Sequence, residues 1–355
     1  MRLSRLPLRS GAILLSCGLL LAGCGGGSAT GSSELSIVTS TNVYADIVSQ
    51  VAGDAANVTA IIDDPNQDPH SYEATTRDRL KLSKADLVVI NGGGYDSFMT
   101  TMLEASDATP EIIDVVAISG LPGSEDVSSA PHSHGDGEDE SAGGEHTGHT
   151  EADGHDADGD SHEGHDHGEA GHEGHDHGEF NEHLWYSVPT MVRLVDDVAV
   201  HLGEALPERE DDIAANAEAY KEQLGGLETT IDAIRTDHGG DKVATTEPVP
   251  LWLFDDMGLD NITSPEFLAA VEEGNDVPPL VLKDAEEQIS SREAVLLGYN
   301  TQAAGPQAEQ LKATAESSDV PVVDLAETMP TGAQYTDWIG ESIDAISQAL
   351  EGHDH

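Results

Sequence analysis

Thiols are almost missing from this chain. Its two cysteines, Cys17 and Cys24, both fall near the start. Beyond Cys24 no disulfide can form and no thiolate can hold a metal, so a metal site there must be built from imidazole and carboxylate. Basic side chains are scarce too: 15 lysines and arginines stand against 68 aspartates and glutamates. Such a surface repels phosphate backbones, which excludes a nucleic-acid partner. It concentrates cations instead, and it favours solubility in a salty medium. After the first residues, no apolar run is long enough to cross a membrane.

The start of the chain reads as an export signal. Arg2, Arg5 and Arg9 form a positive region, and Ala12 to Leu21 form a short apolar stretch. Leu21-Ala22-Gly23-Cys24 resembles the lipobox of bacterial lipoproteins. That resemblance implies cleavage before Cys24, lipidation of its sulfur, and an extracytoplasmic chain anchored at the outer face of the cell membrane. Residues 1–23 are then the signal, and 24–33, made of Cys24 followed by Gly, Ser, Ala and Thr, a flexible tether.

From Glu34 onward, short apolar runs alternate with helical periodicity. Strands are expected over 35–39, 58–62, 87–90 and 112–116, with helices over 43–52, 76–85 and 95–105. A strand–helix alternation implies a parallel sheet covered by helices on both faces. Residues 124–180 break the pattern. They are rich in His, Asp, Glu and Gly, contain no Lys or Arg, and repeat one octapeptide at His162–Glu169 and His172–Glu179. Nothing there can bury a core, so disorder without metal is expected. A long helix over about 208–236 follows Pro207, with Gly225-Gly226 as a weak point in its middle. A second alternating region then has strands over 243–246, 294–298 and 320–325 and helices over 251–257, 265–273, 304–317 and 335–350. The expected architecture is two parallel-sheet α/β lobes, 34–206 and 241–355, joined by a rigid helix within 207–240, with any ligand in the cleft between them.

Few residues are placed to carry chemistry. His70 lies in Asp68-Pro69-His70-Ser71-Tyr72-Glu73, after a strand and before a helix, where parallel sheets collect ligands. His183 lies in a second acidic-polar loop, Asn181-Glu182-His183-Leu184-Trp185. In the second lobe, Glu247 and Glu327 each follow a strand. Two imidazoles and two carboxylates from two lobes can close a cage around zinc or manganese, Zn2+ being the better match to imidazole. His162, His165, His167, His172, His175 and His177 in the repeats form His-x-His pairs suited to weak auxiliary chelation, and His353 and His355 offer a similar pair at the end. Trp185, Trp252 and Trp338 read as packing residues, and His201 and His238 as surface groups beside helices. The chain has no His-Glu-x-x-His and no Gly-x-Ser-x-Gly, so a secreted zinc hydrolase fits poorly. Asn91-Gly92-Gly93-Gly94 lacks the Lys-Ser/Thr of a phosphate loop.

Taken together, these motifs resemble the zinc/manganese solute-binding proteins of bacterial ABC importers, the TroA-like group. The resemblance is carried by Thr41-Asn42 with Asp46-Ile47, the 68–73 run, Ala85-Asp86-Leu87-Val88-Val89 with Asn91-Gly92, the His-rich insert, His183-Leu184-Trp185, Val243-Ala244-Thr245-Thr246-Glu247, and Tyr335 with Trp338. It implies two four-stranded lobes, a rigid linker helix and a metal held between the lobes. It assigns His70 and His183 as the first and second ligands and Glu247 as the third, a position where glutamate accompanies manganese and histidine accompanies zinc. The acidic fourth ligand falls on Glu327, with Asp324 as the competitor. Tyr299-Asn300-Thr301-Gln302 departs from the Glu-Ser or Glu-Pro runs of the group. The implied protein is a monomeric, non-enzymatic receptor whose partners are an ABC permease and its ATPase. A surface lipoprotein that buffers metal or adheres, without transport, is the alternative.

Overall fold

The computed structural model describes residues 35–67, 69–127 and 180–352. The first lobe begins with β1 (Leu35–Thr41), α1 (Asn42–Ala52), β2 (Ala56–Ile62), α2 (Thr76–Leu82), β3 (Leu87–Ile90), α3 (Ser97–Glu104), β4 (Glu111–Asp114), α4 (Val115–Ser119) and the short α5 (Ser124–Val127). Its four parallel strands lie in the order β2-β1-β3-β4. Side chains alternate across this sheet as the strand period of two demands. Ile37, Leu87 and Val89 enter the large central core, while Val38, Val88 and Ile90 pack on the other face with Phe98, Met99 and Met102.

A 3-10 turn at Leu184–Tyr186 leads into α6 (Val188–Ala205), and a second at Pro207–Arg209 leads into the 29-residue α7 (Glu210–His238). The buried stripe of α7 is Ile213, Ala217, Tyr220, Leu224, Ile231 and Ile234, with Leu227 partly buried in register. A three-to-four-residue spacing keeps those groups on one face. That face packs against α1 and α6 of the first lobe and against the last helix of the second. The Gly225-Gly226 pair is helical and continuous with the rest of α7. A methyl group added at either glycine would meet no atom within 4 Å.

The second lobe contains β5 (Lys242–Thr245), α8 (Leu251–Asp256), β6 (Asp260–Asn261), α9 (Pro265–Glu272), α10 (Pro279–Ser290), β7 (Leu297–Asn300), α11 (Pro306–Ser317), β8 (Val322–Leu325) and α12 (Tyr335–Glu351). Its order, β6-β5-β7-β8, repeats that of the first sheet. One contiguous apolar cluster includes residues of β1, α1, α6, α7, β5, β8 and α12, so the two lobes share a core. No helix among the described residues is long and apolar enough to cross a membrane.

Several elements depart from expectation: α4 takes Val115 and Val116 from the expected strand 112–116, α5 forms the first residues of the insert expected to be disordered, and β6 is not among the expected strands. Helix α10 is not legible in the sequence because only Ala285 and Ile289 are buried on it and Leu280 is exposed. Strand β7 runs over 297–300 rather than 294–298. Pairing of Tyr299 with Asp324 and of Asn300 with Leu325 draws two polar-ended residues into the ladder.

Candidate metal centre

In an open parallel sheet, ligands gather beyond the carboxyl ends of the strands, at the point where strand order reverses. In each lobe that point lies where the first strand has a neighbour on either side. Asn91 follows β3 in the first lobe, and Glu247 follows β5 in the second.

The first-lobe site rests on a buried polar frame. Tyr44 donates to Asn91 Oδ1. The Asn91 amide group donates to the Glu182 carbonyl at 3.1 Å, fixing the loop that carries His183. Asp96 accepts from Asn91 N at 2.6 Å and from Gly92 N at 3.0 Å. Burial pushes the Asp96 carboxyl up to about 6, even though those N–H bonds favour the charged form. Gly92 has a φ of +81°, and a Cβ there would lie 2.3 Å from Asp114 Oδ1, so only glycine fits this turn.

His183 is held through a hydrogen bond at Nδ1, whereas His70 Nδ1 faces a carboxylate at ion-pair distance. His70 Nδ1 is 3.2 Å from Glu182 Oε1, and its Nε2 is 3.6 Å from Glu327 Oε1. His183 Nδ1 is 2.8 Å from Asn181 Oδ1, which also accepts His183 N at 3.2 Å. For His183, the acceptor on Nδ1 fixes the ring and the tautomer, so that Nε2 is the nitrogen offered to an ion. Asn181 is in turn tied to the second lobe: its side chain donates to Pro248 O at 3.0 Å, and its carbonyl accepts Trp252 Nε1 at 2.8 Å. Tyr95, almost fully buried, donates to Glu327 Oε1 at 3.2 Å and stands edge-on to His70 at 5.0 Å between ring centroids.

One ligand atom each of His70, His183 and Glu327 lies within 4.8 Å of the others. Glu247 does not join that cluster. Its buried carboxylate accepts instead from the Asn300 amide, although it lines the same cleft. Asp324, the competitor for Glu327, is exposed and paired with Lys312 Nζ at 3.1 Å. The cleft has a volume of about 630 Å³ and is lined by four glutamates, Glu247, Glu272, Glu273 and Glu327, together with His70 and His183; among the described residues no lysine or arginine borders it. Burial, then repulsion from Glu272, Glu327 and Asp96, pushes Glu182 up to about 9. Burial, then Glu273, pushes Glu272 up to about 7. A carboxylate set strained in this way is relieved by a divalent cation.

Sequence reasoning gave no site role to Glu182, Tyr95, Asn91, Asn300 or Glu272. A signal existed for Glu182, an acid directly beside a candidate ligand histidine. Trp252 packs against Phe180 and also makes the hydrogen bond above, and Trp185 and Trp338 are buried among aromatic neighbours. His201 and His238 are partly exposed and pair with local carboxylates. Cys24, Asp68, the repeat histidines His162, His165, His167, His172, His175 and His177, and His353 and His355 lie outside the described residues.

The profile of the family described as zinc-uptake complex component A, periplasmic, matches residues 37–349. The chain belongs to that family. It is 26% identical over 223 residues to the manganese-binding lipoprotein MntA of Halalkalibacterium halodurans, covering 62% of this chain and 57% of the relative. It is 24% identical over 216 residues to the zinc-binding lipoprotein AdcA of Streptococcus pneumoniae, covering 60% of this chain and 35% of the relative. The chain thus spans about half the length of the curated relatives it matches, or less. The periplasmic zinc-binding protein TroA of Treponema pallidum superposes with a TM-score of 0.63 at 17% identity, over 89% of this chain and 99% of that one. That likeness shows the fold: two parallel-sheet α/β lobes, as the motifs predicted.

Proposed function

We propose that this protein captures a divalent metal ion in the cleft between its lobes and delivers it to an ABC importer. The observation that carries this reading is the convergence of His70, His183 and Glu327 within 4.8 Å. Their setting, a cleft lined with carboxylates and, among the described residues, free of lysine and arginine, supports it. Glu247 is the fourth ligand in this reading and closes onto the ion from the second lobe. The mechanism is capture, not turnover. Neutral imidazoles and ionised carboxylates replace the ion's water, protons leave as it binds, and the loaded lobes dock on a membrane permease whose ATPase drives release.

Zinc is the ion favoured here, because two imidazoles suit it and manganese sits lowest in the divalent affinity order. A manganese reading draws on Glu247 and on relatives named manganese-binding lipoproteins. The matched relatives named lipoproteins also support an extracytoplasmic receptor anchored through Cys24. The His-rich insert, in this reading, gathers zinc weakly and passes it to the cleft.

Competition titration with zinc and manganese, on the chain lacking residues 132–179, tests the proposal. One tight site should remain, with zinc held above manganese. Loss of all tight binding would leave the insert as the only metal binder and remove the receptor reading. In cells, loss of the gene should slow growth under chelation, and added zinc should restore it.

A further inference from the structure

Asn300 is the last residue of β7 and is 2% exposed. Neither of the side chain's polar atoms is idle. Its Oδ1 accepts Gln302 N at 3.0 Å, so its amino group must face the other way, and there Nδ2 donates to Glu247 Oε2. The backbone is pinned as well, since Asn300 N donates to Thr246 Oγ1 at 3.0 Å. Strands β5 and β7 are neighbours, with Thr245 opposite Gly298, so Asn300 and Glu247 emerge side by side where the strand order of the second sheet reverses. The turn that follows is tied to the first lobe by Gln302 Nε2, which donates to Pro65 O at 2.9 Å; Thr328, beyond β8, donates through Oγ1 to the same carbonyl at 2.8 Å. Asn300 is therefore fixed in position, and it fixes one oxygen of Glu247.

That constraint bears on which ion the cleft holds. An amide donor on one oxygen takes up one of its lone pairs and orients the carboxylate, so that the other oxygen is the one presented to a cation. Two imidazole nitrogens, one oxygen of Glu327 and one of Glu247 make four donors, the number a tetrahedral zinc shell takes. Manganese takes octahedral, oxygen-rich shells and gains from a carboxylate that binds through both oxygens. We propose that Asn300 is a specificity-determining positioning residue: by holding Glu247 to a single bond it favours four-coordinate zinc over six-coordinate manganese. This rests on the reading of Glu247 as a ligand. It accounts for how a glutamate at this position is compatible with zinc selectivity.

The test is the ratio of zinc to manganese affinity, measured on the full chain with a competing chelator strong enough to silence weak histidine sites. Asn300→Ala removes the donor. Asn300→Asp keeps the acceptor for Gln302 N but faces Glu247 with a carboxylate. Each should lower the zinc-to-manganese ratio by about 10-fold or more, the size expected when a group that orients a metal ligand is lost. A merely structural loss would weaken both ions alike and leave the ratio unchanged, which would overturn the proposal. Thermal unfolding of the metal-free variants checks that each folds; if the alanine variant does not, the aspartate variant carries the test. Glu247→Ala separates the two levels of argument. If that variant binds as tightly as the parent, Glu247 is not a ligand and the wider reading is at fault. If it binds weakly while both Asn300 variants keep the parent ratio, only the role given to Asn300 fails.

Discussion

The first lobe meets the cleft with imidazoles and the second meets it with carboxylates, although both sheets run in the same strand order. The difference lies in how each donor is supported. His70 and His183 sit in loops, and each ring is steadied by a polar neighbour on the same lobe, Glu182 or Asn181. Glu247 and Glu327 follow strands directly, and their partners are Asn300 on the adjacent strand and Tyr95 from across the cleft. One fold thus supports two kinds of donor. Loop donors need an orienting side chain, while donors after a strand inherit much of their position from the ladder. Away from the cleft the lobes do not differ in this way, because a single apolar core and α7 run through both.

The comparison breaks first if the first lobe loses a donor. His70→Ala should lower zinc affinity by more than about 100-fold, beyond the usual cost of losing an orienting group. Equilibrium competition against a chelator measures it, and an unchanged affinity would remove His70 from the site. Glu182→Gln should cost less, about 10–100-fold, by loosening the His70 ring while leaving every ligand in place.

Glu182 also sharpens the comparison through pH. Its folded pKa of about 9 lies above the ordinary 4.5. Between those values the folded chain keeps a proton that the unfolded chain has released. Metal-free stability therefore contains a contribution that is fully present below the ordinary value and falls as pH rises toward 9. Glu272, pushed up to about 7, acts with the same sign over a narrower window. Melting temperatures of the metal-free chain should fall from pH 5 to pH 9, and Glu182→Gln should flatten that slope. A slope unaltered by the substitution would place the titrating group elsewhere.

The shared core gives a stability test. Leu224 lies at the centre of the stripe on α7 and is fully buried, so Leu224→Ala should cost about 2–5 kcal/mol in denaturant unfolding. A separate, two-step transition in the parent would show that the lobes unfold independently despite that core. The smallest effect belongs to Gly225 and Gly226. Alanine meets no clash at either position and should stabilise α7 by up to about 1 kcal/mol each.

Much of the fold was legible because its signals are local. Apolar runs such as Leu87–Ile90 and the stripe of α7 announce burial on their own. Helix α10 escaped because only Ala285 and Ile289 are buried on it, and a helix mostly exposed has little period to read. Among the donors, the histidines stood out in a chain where imidazole outside the insert is rare. Glu327 did not stand out among 68 acids, and only position after a strand marked it. Asn300 and Tyr95 were invisible for another reason: their value lies in contacts across strands and across the cleft, which no spacing along the chain encodes.

The most direct test of the central claim is anomalous diffraction at the zinc edge from crystals of the chain loaded with one equivalent of zinc. The account predicts one strong peak within bonding distance of His70, His183 and Glu327, with Glu247 contributing a single oxygen. A peak elsewhere, or none in the cleft, would contradict it.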